Sequence, residues 1–252
     1  MRTFWIFLLT TLLLAACVPE QSMNTNGSGA TISDAGALDA AGKEPQLVLE
    51  AGGHQAIVRS LLCTADGSEL ISVGDDKTIR VWSVSEDGRK ARLARTIRGQ
   101  IEAGRAGQLA AAALSPPDDS GRQRWLAVGG YLAGPGSFRD AIRVHDYESG
   151  WVHALLRGQK GSVLALAFSP DGRWLASAGK DNKIRLWDMS SLEQGGIFKK
   201  HRVLSGHKDR ITDLVWSPDG QRLASASYDG TARLWDTTQV AAGKVKLKAV
   251  LK

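Results

Sequence analysis

The sequence predicts an all-β chain built from one repeated four-stranded unit, and three observations carry that prediction. Glycine accounts for 28 of 252 residues and tryptophan for 8, the balance of a turn-rich chain with regularly placed aromatics. Short alternating apolar runs such as VLALAF and ITDLVW are each followed by a compact turn: TADG at 64–67, SPDG at 169–172 and SPDG at 217–220. Three segments also align without gaps at their polar landmarks, from Gly53-His54 to Trp82, from Gly158-Gln159 to Trp187 and from Gly206-His207 to Trp235. In each, a Ser stands 18 residues after the His or Gln, an Asp 22 after it and a Trp 28 after it.

Composition narrows the functional classes. With 43% hydrophobic and 23% charged residues the chain has the makeup of a globular protein, which excludes a wholly disordered, collagen-like or polytopic membrane protein. Two cysteines cannot form a disulfide framework, and no Cys/His cluster has zinc-finger spacing. The net charge is +6, and the basic excess that lies beyond residue 47 is spread along the predicted strands, so nucleic acid is not expected as a partner, and neither is a metal or cofactor.

The chain opens on Met1 and Arg2, followed by an apolar run of 11 residues at 4–14, short of the roughly 20 that a membrane-spanning helix needs. It reads as a secretory signal at 1–16. Leu14-Ala15-Ala16-Cys17 resembles the bacterial lipobox, and that resemblance implies cleavage before Cys17 with lipid attached to its thiol. A plain signal peptide that happens to end at a cysteine is the other reading. Residues 17–45, rich in Ser, Gly, Ala and Asn, read as a flexible linker. The resemblance places the chain in the bacterial cell envelope, anchored to the membrane by lipid, and in a Gram-negative cell on the outer membrane facing the periplasm.

From about residue 46 to 252 the repeat is similar to the WD40 family, most plainly in ASASYDGTARLWD (224–236) and LASAGKDNKIRLWD (175–188). The resemblance implies a β-propeller: four blades of four strands at about 53–98, 99–157, 158–205 and 206–252, forming an open ring. The second blade is degraded. DAIRVHD (140–146) takes the place of the IRLWD strand, with His145 where tryptophan is expected, and extra residues lengthen the loops around 129–140. The family's pattern further implies a hydrogen-bonded tetrad in each good blade: His54, Ser72, Asp76 and Trp82; Gln159, Ser177, Asp181 and Trp187; His207, Ser225, Asp229 and Trp235. Gln in place of His is expected to weaken the middle network.

A Ser, a His and an Asp in one unit invite a hydrolase reading. A nucleophile is needed once, beside its base in a cleft, whereas this set recurs and is tied to a tryptophan each time. No GxSxG, phosphate-loop, HExxH or GxGxxG motif occurs. The chain is therefore expected not to be an enzyme. Arg80, Arg143, Arg185 and Arg233, each two residues before the aromatic, are expected to form an exposed stripe. Cys63 in SLLC is expected in the core.

PQLVLE (45–50) precedes the first Gly-His and is expected to be an orphan strand, because its partners in such rings come from the end of the chain. The sequence is therefore expected to be the N-terminal part of a longer propeller; the alternative is two chains joined in one eight-bladed ring through open edges. The family resemblance implies that loops on the tetrad end meet protein or peptide partners, with Tyr131, Phe138, Arg139, Lys180 and Tyr228 as the candidate contacts. The expected function is a non-enzymatic scaffold tethered to the membrane. The alternative is a sensory or regulatory module of a larger enzyme, which the sequence beyond residue 252 would distinguish.

Overall fold

The computed structural model describes residues 48–49, 53–99, 106–131 and 141–251. The signal segment, Cys17, the linker, Phe138 and Arg139 lie outside the described residues.

Among the described residues, eighteen strands form four sheets, with one short 3-10 turn at Leu192–Gln194. The first sheet contains β1 (Val48–Leu49), β2 (Val58–Cys63), β3 (Glu69–Gly74), β4 (Thr78–Val84) and β5 (Lys90–Arg98), in the order β1-β5-β4-β3-β2. The second contains β6 (Leu109–Leu114), β7 (Trp125–Gly130), β8 (Ala141–Asp146) and β9 (Val152–Arg157), and it borrows β13 (Gly196–Phe198) from later in the chain. The third comprises β10 (Val163–Phe168), β11 (Trp174–Gly179), β12 (Lys183–Asp188) and β14 (His201–Ser205). The fourth comprises β15 (Ile211–Trp216), β16 (Arg222–Ser227), β17 (Ala232–Asp236) and β18 (Lys246–Leu251).

Two expectations need correction. The sheets are not uniformly four-stranded, because the first and second each carry a fifth strand laid parallel on the outer edge. The segment expected to be orphaned is not: Val48 and Leu49 pair with Lys90 and Ala91 of β5. An exposed outer edge satisfies its backbone groups with any extended neighbour, and the first available one lies in the same chain.

Local chemistry explains the strand boundaries. In the SPDG turn before β11, Gly172 adopts φ +68°, its N–H donates to Ser169 O at 2.9 Å, and the Arg173 amide donates to Asp171 Oδ1 at 3.1 Å. The Ser217–Gly220 turn repeats this bonding, with 2.8 Å from Gly220 N to Ser217 O. At the opposite end, the tight turns hold Lys77, Asn182 and Gly230 in the left-handed region at φ 65°, 61° and 79°.

Every inner strand carries a register shift near its start, between Val58 and Ser60, Leu109 and Ala111, Val163 and Ala165, and Ile211 and Asp213. The third sheet shows what this bulge demands of its partner strand. A Cβ on Gly179 would lie 1.9 Å from Ser162 O, a backbone atom that cannot swing aside. Gly179→Ala is therefore expected to lower stability by about 1–3 kcal/mol, read as a drop in the urea midpoint.

The core lies between sheets. Ile71, Val73 and Ile79 of the first meet Leu109, Leu126 and Val128 of the second. Ala127, Ile142 and Leu156 of the second meet Val163, Leu175 and Trp187 of the third. Ala176, Ile184 and Leu186 of the third meet Ile211, Leu214 and Trp235 of the fourth. Trp187 and Trp235 thus turn toward the preceding sheet. Trp82 of the first sheet packs with Leu70 and Ala91, and Cys63 lies partly buried beside them.

Candidate functional site

Strand register brings the spaced residues together. In the first sheet Ser72 faces Arg80 and Leu70 faces Trp82, which sets the indole over the serine from the next strand. Trp82 Nε1 donates to Ser72 Oγ at 2.8 Å, Ser72 Oγ lies 2.8 Å from His54 Nε2, and His54 Nδ1 lies 2.8 Å from Asp76 Oδ2. The donors impose one direction on this chain. Indole can only donate, so the Ser72 hydroxyl is free to donate to Nε2, and Nδ1 must carry the proton given to the carboxylate.

The fourth sheet repeats the chain. Trp235 Nε1 donates to Ser225 Oγ at 3.0 Å, Ser225 Oγ lies 2.8 Å from His207 Nε2, and His207 Nδ1 lies 2.9 Å from Asp229 Oδ2. In the third sheet Gln159 substitutes for histidine. Trp187 Nε1 donates to Ser177 Oγ at 2.9 Å, Ser177 Oγ donates to Gln159 Oε1 at 3.1 Å, and Gln159 Nε2 donates to Asp181 Oδ1 at 3.2 Å. The glutamine bonds are longer, since a flexible amide reaches the same two partners from a shorter planar group. Arg185 Nη1, at 2.6 Å from Asp181 Oδ2, adds a charge that the imidazole lacks.

The aspartates anchor the turns. Asp229 also accepts from the Lys208 amide at 2.9 Å, the Thr231 amide at 2.9 Å and the Thr231 hydroxyl at 2.6 Å. Burial alone would raise its pKa, but the hydrogen bonds from Thr231, the Lys208 amide and His207 outweigh it and hold the carboxyl well below the usual range. Asp76 is lowered in the same way, burial being outweighed by hydrogen bonds from His54, Thr78 and the amides of Thr78 and Gln55.

Among the described residues, the second sheet has no such network. Val128 faces Arg143 where the other sheets place Ser, and His145 faces Leu126 where they place Trp. His145 Nδ1 donates to Gly150 O at 2.9 Å, while its buried Nε2 has no partner. Burial pushes its pKa down, and the backbone bond to Gly150 accounts for its orientation.

The serine–histidine–aspartate order matches that of a hydrolytic triad, but access does not. Ser72 and Ser225 are both buried, each receives an indole N–H, and the same arrangement stands in two sheets. A hydroxyl capped by indole beneath a sheet cannot attack a substrate carbonyl. Among the described residues no group of three or more His, Cys, Asp or Glu is placed to hold a metal.

The arginine stripe is corrected by the structure. Arg185 is buried, and the Nε atoms of Arg80, Arg185 and Arg233 are buried without hydrogen-bond partners. Arg80, Arg143 and Arg233 are half-buried, so the four do not form the exposed stripe that was expected. Arg233 also explains a glycine: a Cβ on Gly206 would lie 2.3 Å from Arg233 Nη1.

Around the tetrad turns the surface is basic and aromatic. Tyr228 is 61% exposed, and the Arg210 guanidinium lies 3.7 Å from its ring centroid. Lys180 Nζ lies 5.3 Å from the ring centroid of Tyr131, which is half-buried. Asn182 Nδ2 donates to Lys208 O at 3.2 Å, tying the turn of the third sheet to the loop entering the fourth. Of the candidate contacts, the structure therefore groups Tyr131 with Lys180 and sets Tyr228 on the adjoining sheet. Sequence reasoning missed Arg210 and also Arg59, which makes a two-point contact with Asp75 at 3.0 and 2.7 Å. The available signal was position: Arg210 stands three residues after His207, beside the Asp229 turn that carries Tyr228.

Stacked sheets of antiparallel strands, pinned by indole–hydroxyl–imidazole–carboxylate chains, define a repeat protein of the β-propeller class. A family model described as "WD domain, G-beta repeat" matches residues 44–83, 150–188 and 198–236, and the chain carries these three WD40 repeats. The chain is 32% identical over 154 residues to "Nuclear distribution protein PAC1-2" of Uncinocarpus reesii, covering 57% of this chain and 31% of that protein. It is 29% identical over 161 residues to "Nuclear distribution protein PAC1" of Arthroderma otae (60% and 32%) and 30% identical over 131 residues to "Telomerase Cajal body protein 1" of Homo sapiens (52% and 21%). The matches thus span about a third or less of each relative's length. These relatives overturn the expected location in a bacterial envelope. They are eukaryotic, and their names refer to nuclear distribution and a Cajal body. No helix among the described residues is long and apolar enough to cross a membrane.

Proposed function

We propose that the protein is a non-enzymatic scaffold that holds an acidic protein segment across the tetrad end of its third and fourth sheets. The observation that carries this reading is the exposed Tyr228 ring with Arg210 stacked on it, beside a turn and loop that present Lys180 and Lys208. Exposed aromatic rings and guanidinium groups are the side chains that dominate protein interfaces. Asp181 and Asp229 are turned into the turns, while Lys180, Lys208 and Arg210 flank the exposed ring as donors for a partner's carboxylates, with Asp209 between the last two. The burial of Ser72 and Ser225 supports the non-enzymatic part of the reading. The alternative of a regulatory module in a larger enzyme is favoured by no observation among the described residues.

Fluorescence anisotropy with acid-rich and base-rich peptide pools on the full chain tests the reading. Acidic peptides are expected to bind with an affinity that falls as salt rises, and Tyr228→Ala with Lys180→Glu is expected to weaken them at least tenfold. Equal binding of both pools, or full retention by the double variant, would overturn it.

A further inference from the structure

The outer strands of the first two sheets are each covered by a borrowed parallel strand, β1 on β5 and β13 on β9, whereas among the described residues no strand pairs with the outer edge of β14. The connections explain the difference. After Gly195 the chain runs along β9 as Gly196–Phe198 before it enters β14 at His201, but after Gly243 only Lys244 and Val245 precede β18. That shorter connection meets β14 through a side chain, with Arg202 Nη2 donating to Ala241 O at 2.7 Å, and leaves the main chain of β14 open.

β14 is also the outer strand best shaped for pairing. Register shifts interrupt the ladders of β5, β9 and β18 with their neighbours, between Val81 and Trp82, Val144 and His145, and Leu234 and Trp235, but the β12–β14 ladder runs unbroken from Lys183–Ser205 to Trp187–His201. Bulges and lysines are the usual protection of an open edge, and β18 has both, with Lys246 and Lys248 exposed. β14 has neither within its span, and Val203 at its centre is 45% exposed. In the first sheet Gly99 N donates to Lys77 O at 2.8 Å, so alternate residues counted back from Gly99 turn inward. The same count from Gly206 turns Leu204 and Arg202 toward β12 and leaves the N–H and C=O of Val203 pointing out. Its counterpart in the second sheet, Leu155, is the residue that lies opposite Ile197 of β13.

We propose that β14 is a docking edge for an extended segment of a partner protein, added parallel as β13 is added to β9, with acidic residues at its start and an apolar side chain after them. A cavity of about 320 Å³ lies at the end of β14 remote from the tetrad turns, walled by Trp174, Leu186 and Phe198 with Lys200 and Arg202 beside them. Leu186 pairs with Arg202, and both share the face that carries Trp174, so the partner residue opposite Arg202 directs its side chain into this cavity. Asp188 also lines it and disfavours a carboxylate inside. The acidic residues therefore come earlier in the segment, where the exposed Lys199 and Lys200 lead into the strand. This edge is on the rim of the third sheet, apart from Tyr228 and the tetrad turns.

Anisotropy of a labelled, end-capped peptide, Glu-Glu-Thr-Phe-Thr-Val-Thr, on the full chain carrying Tyr228→Ala and Lys180→Glu tests the edge separately from the tetrad-end reading. Binding in the micromolar range is expected, with the phenylalanine opposite Arg202. N-methylation of the peptide valine, whose N–H then faces Val203 O, should weaken binding at least tenfold, while N-methylation of the threonine before it, whose N–H faces away, should leave binding intact. Val203→Pro removes an outward N–H and should cause a similar loss with the far-ultraviolet circular dichroism unchanged; if that variant does not fold, the two methylated peptides decide on the unaltered edge. Lys199→Glu with Lys200→Glu should weaken binding and flatten its dependence on salt. No binding, equal binding of a scrambled peptide, equal effects of the two methylations, or indifference to a folded Val203→Pro would each overturn the proposal.

Discussion

Trp187→Ala is expected to cost about 3–5 kcal/mol. The indole is buried between the second and third sheets among Ile142, Leu156 and Leu175, so its removal leaves a cavity that two sheets share. It also withdraws the N–H donated to Ser177 at 2.9 Å. Magnitudes separate these contributions. Ser177→Ala deletes the hydrogen bonds and retains the ring, with an expected cost of about 1 kcal/mol, so packing outweighs the polar chain. Trp187→Phe should fall between the two. Urea unfolding followed by circular dichroism, with midpoints compared at constant m-value, ranks the three variants; a Ser177→Ala cost equal to that of Trp187→Ala would reverse the ranking of packing and network.

Asp229→Ala is expected to cost about 3 kcal/mol, because it strands two backbone amides, the Thr231 hydroxyl and the His207 ring at one turn. The wild-type pH dependence has the same origin. Both Asp229 and Asp76 titrate below their ordinary range in the folded protein. A carboxyl depressed by folding contributes stability that is complete above its unfolded pKa, near 4, and lost as pH falls toward the folded value. Melting temperatures are therefore expected to be level from about pH 8 to pH 5 and to fall below about pH 4. The decline should be shallower in Asp229→Ala, and an equally steep fall in that variant would show that the acid sensitivity resides elsewhere.

The extent to which this structure can be read from the sequence differs from sheet to sheet, for physical reasons. Spacing betrays the residues of the first, third and fourth networks because strand register converts a fixed count into a fixed position: the Ser opposite Arg80, Arg185 or Arg233 is always two steps from the Trp pair. The second sheet gives up its strands through DAIRVHD, but Val128 and His145 leave no polar marker to follow. The two added edge strands are only partly legible. PQLVLE shows a strand over Val48–Leu49 but not its partner, Gly196–Phe198 is too short to show a period of two, and the pairing of both is decided by which outer edge lies nearby. Arg185 misleads in the opposite direction. Charge predicts exposure, but Asp181 and the neighbouring sheet make a buried position tenable. The basic platform of the candidate site is only half readable, since Tyr228 and Lys180 stand in recognisable turns whereas Arg210 gains its meaning from lying over the ring.

The strand β13 gives the middle of the molecule a property that its ends lack. It lies in the chain between β12 and β14 of the third sheet yet bonds to β9 of the second, pairing Gly196, Ile197 and Phe198 with Ala154, Leu155 and Leu156. Repeat arrays ordinarily come apart unit by unit, since neighbours share only side-chain contacts. Here the third unit cannot loosen its long connection without breaking main-chain bonds in the second. The two central units are thus clasped into one cooperative block, from which the outer units can fray while amide protons at the centre exchange together.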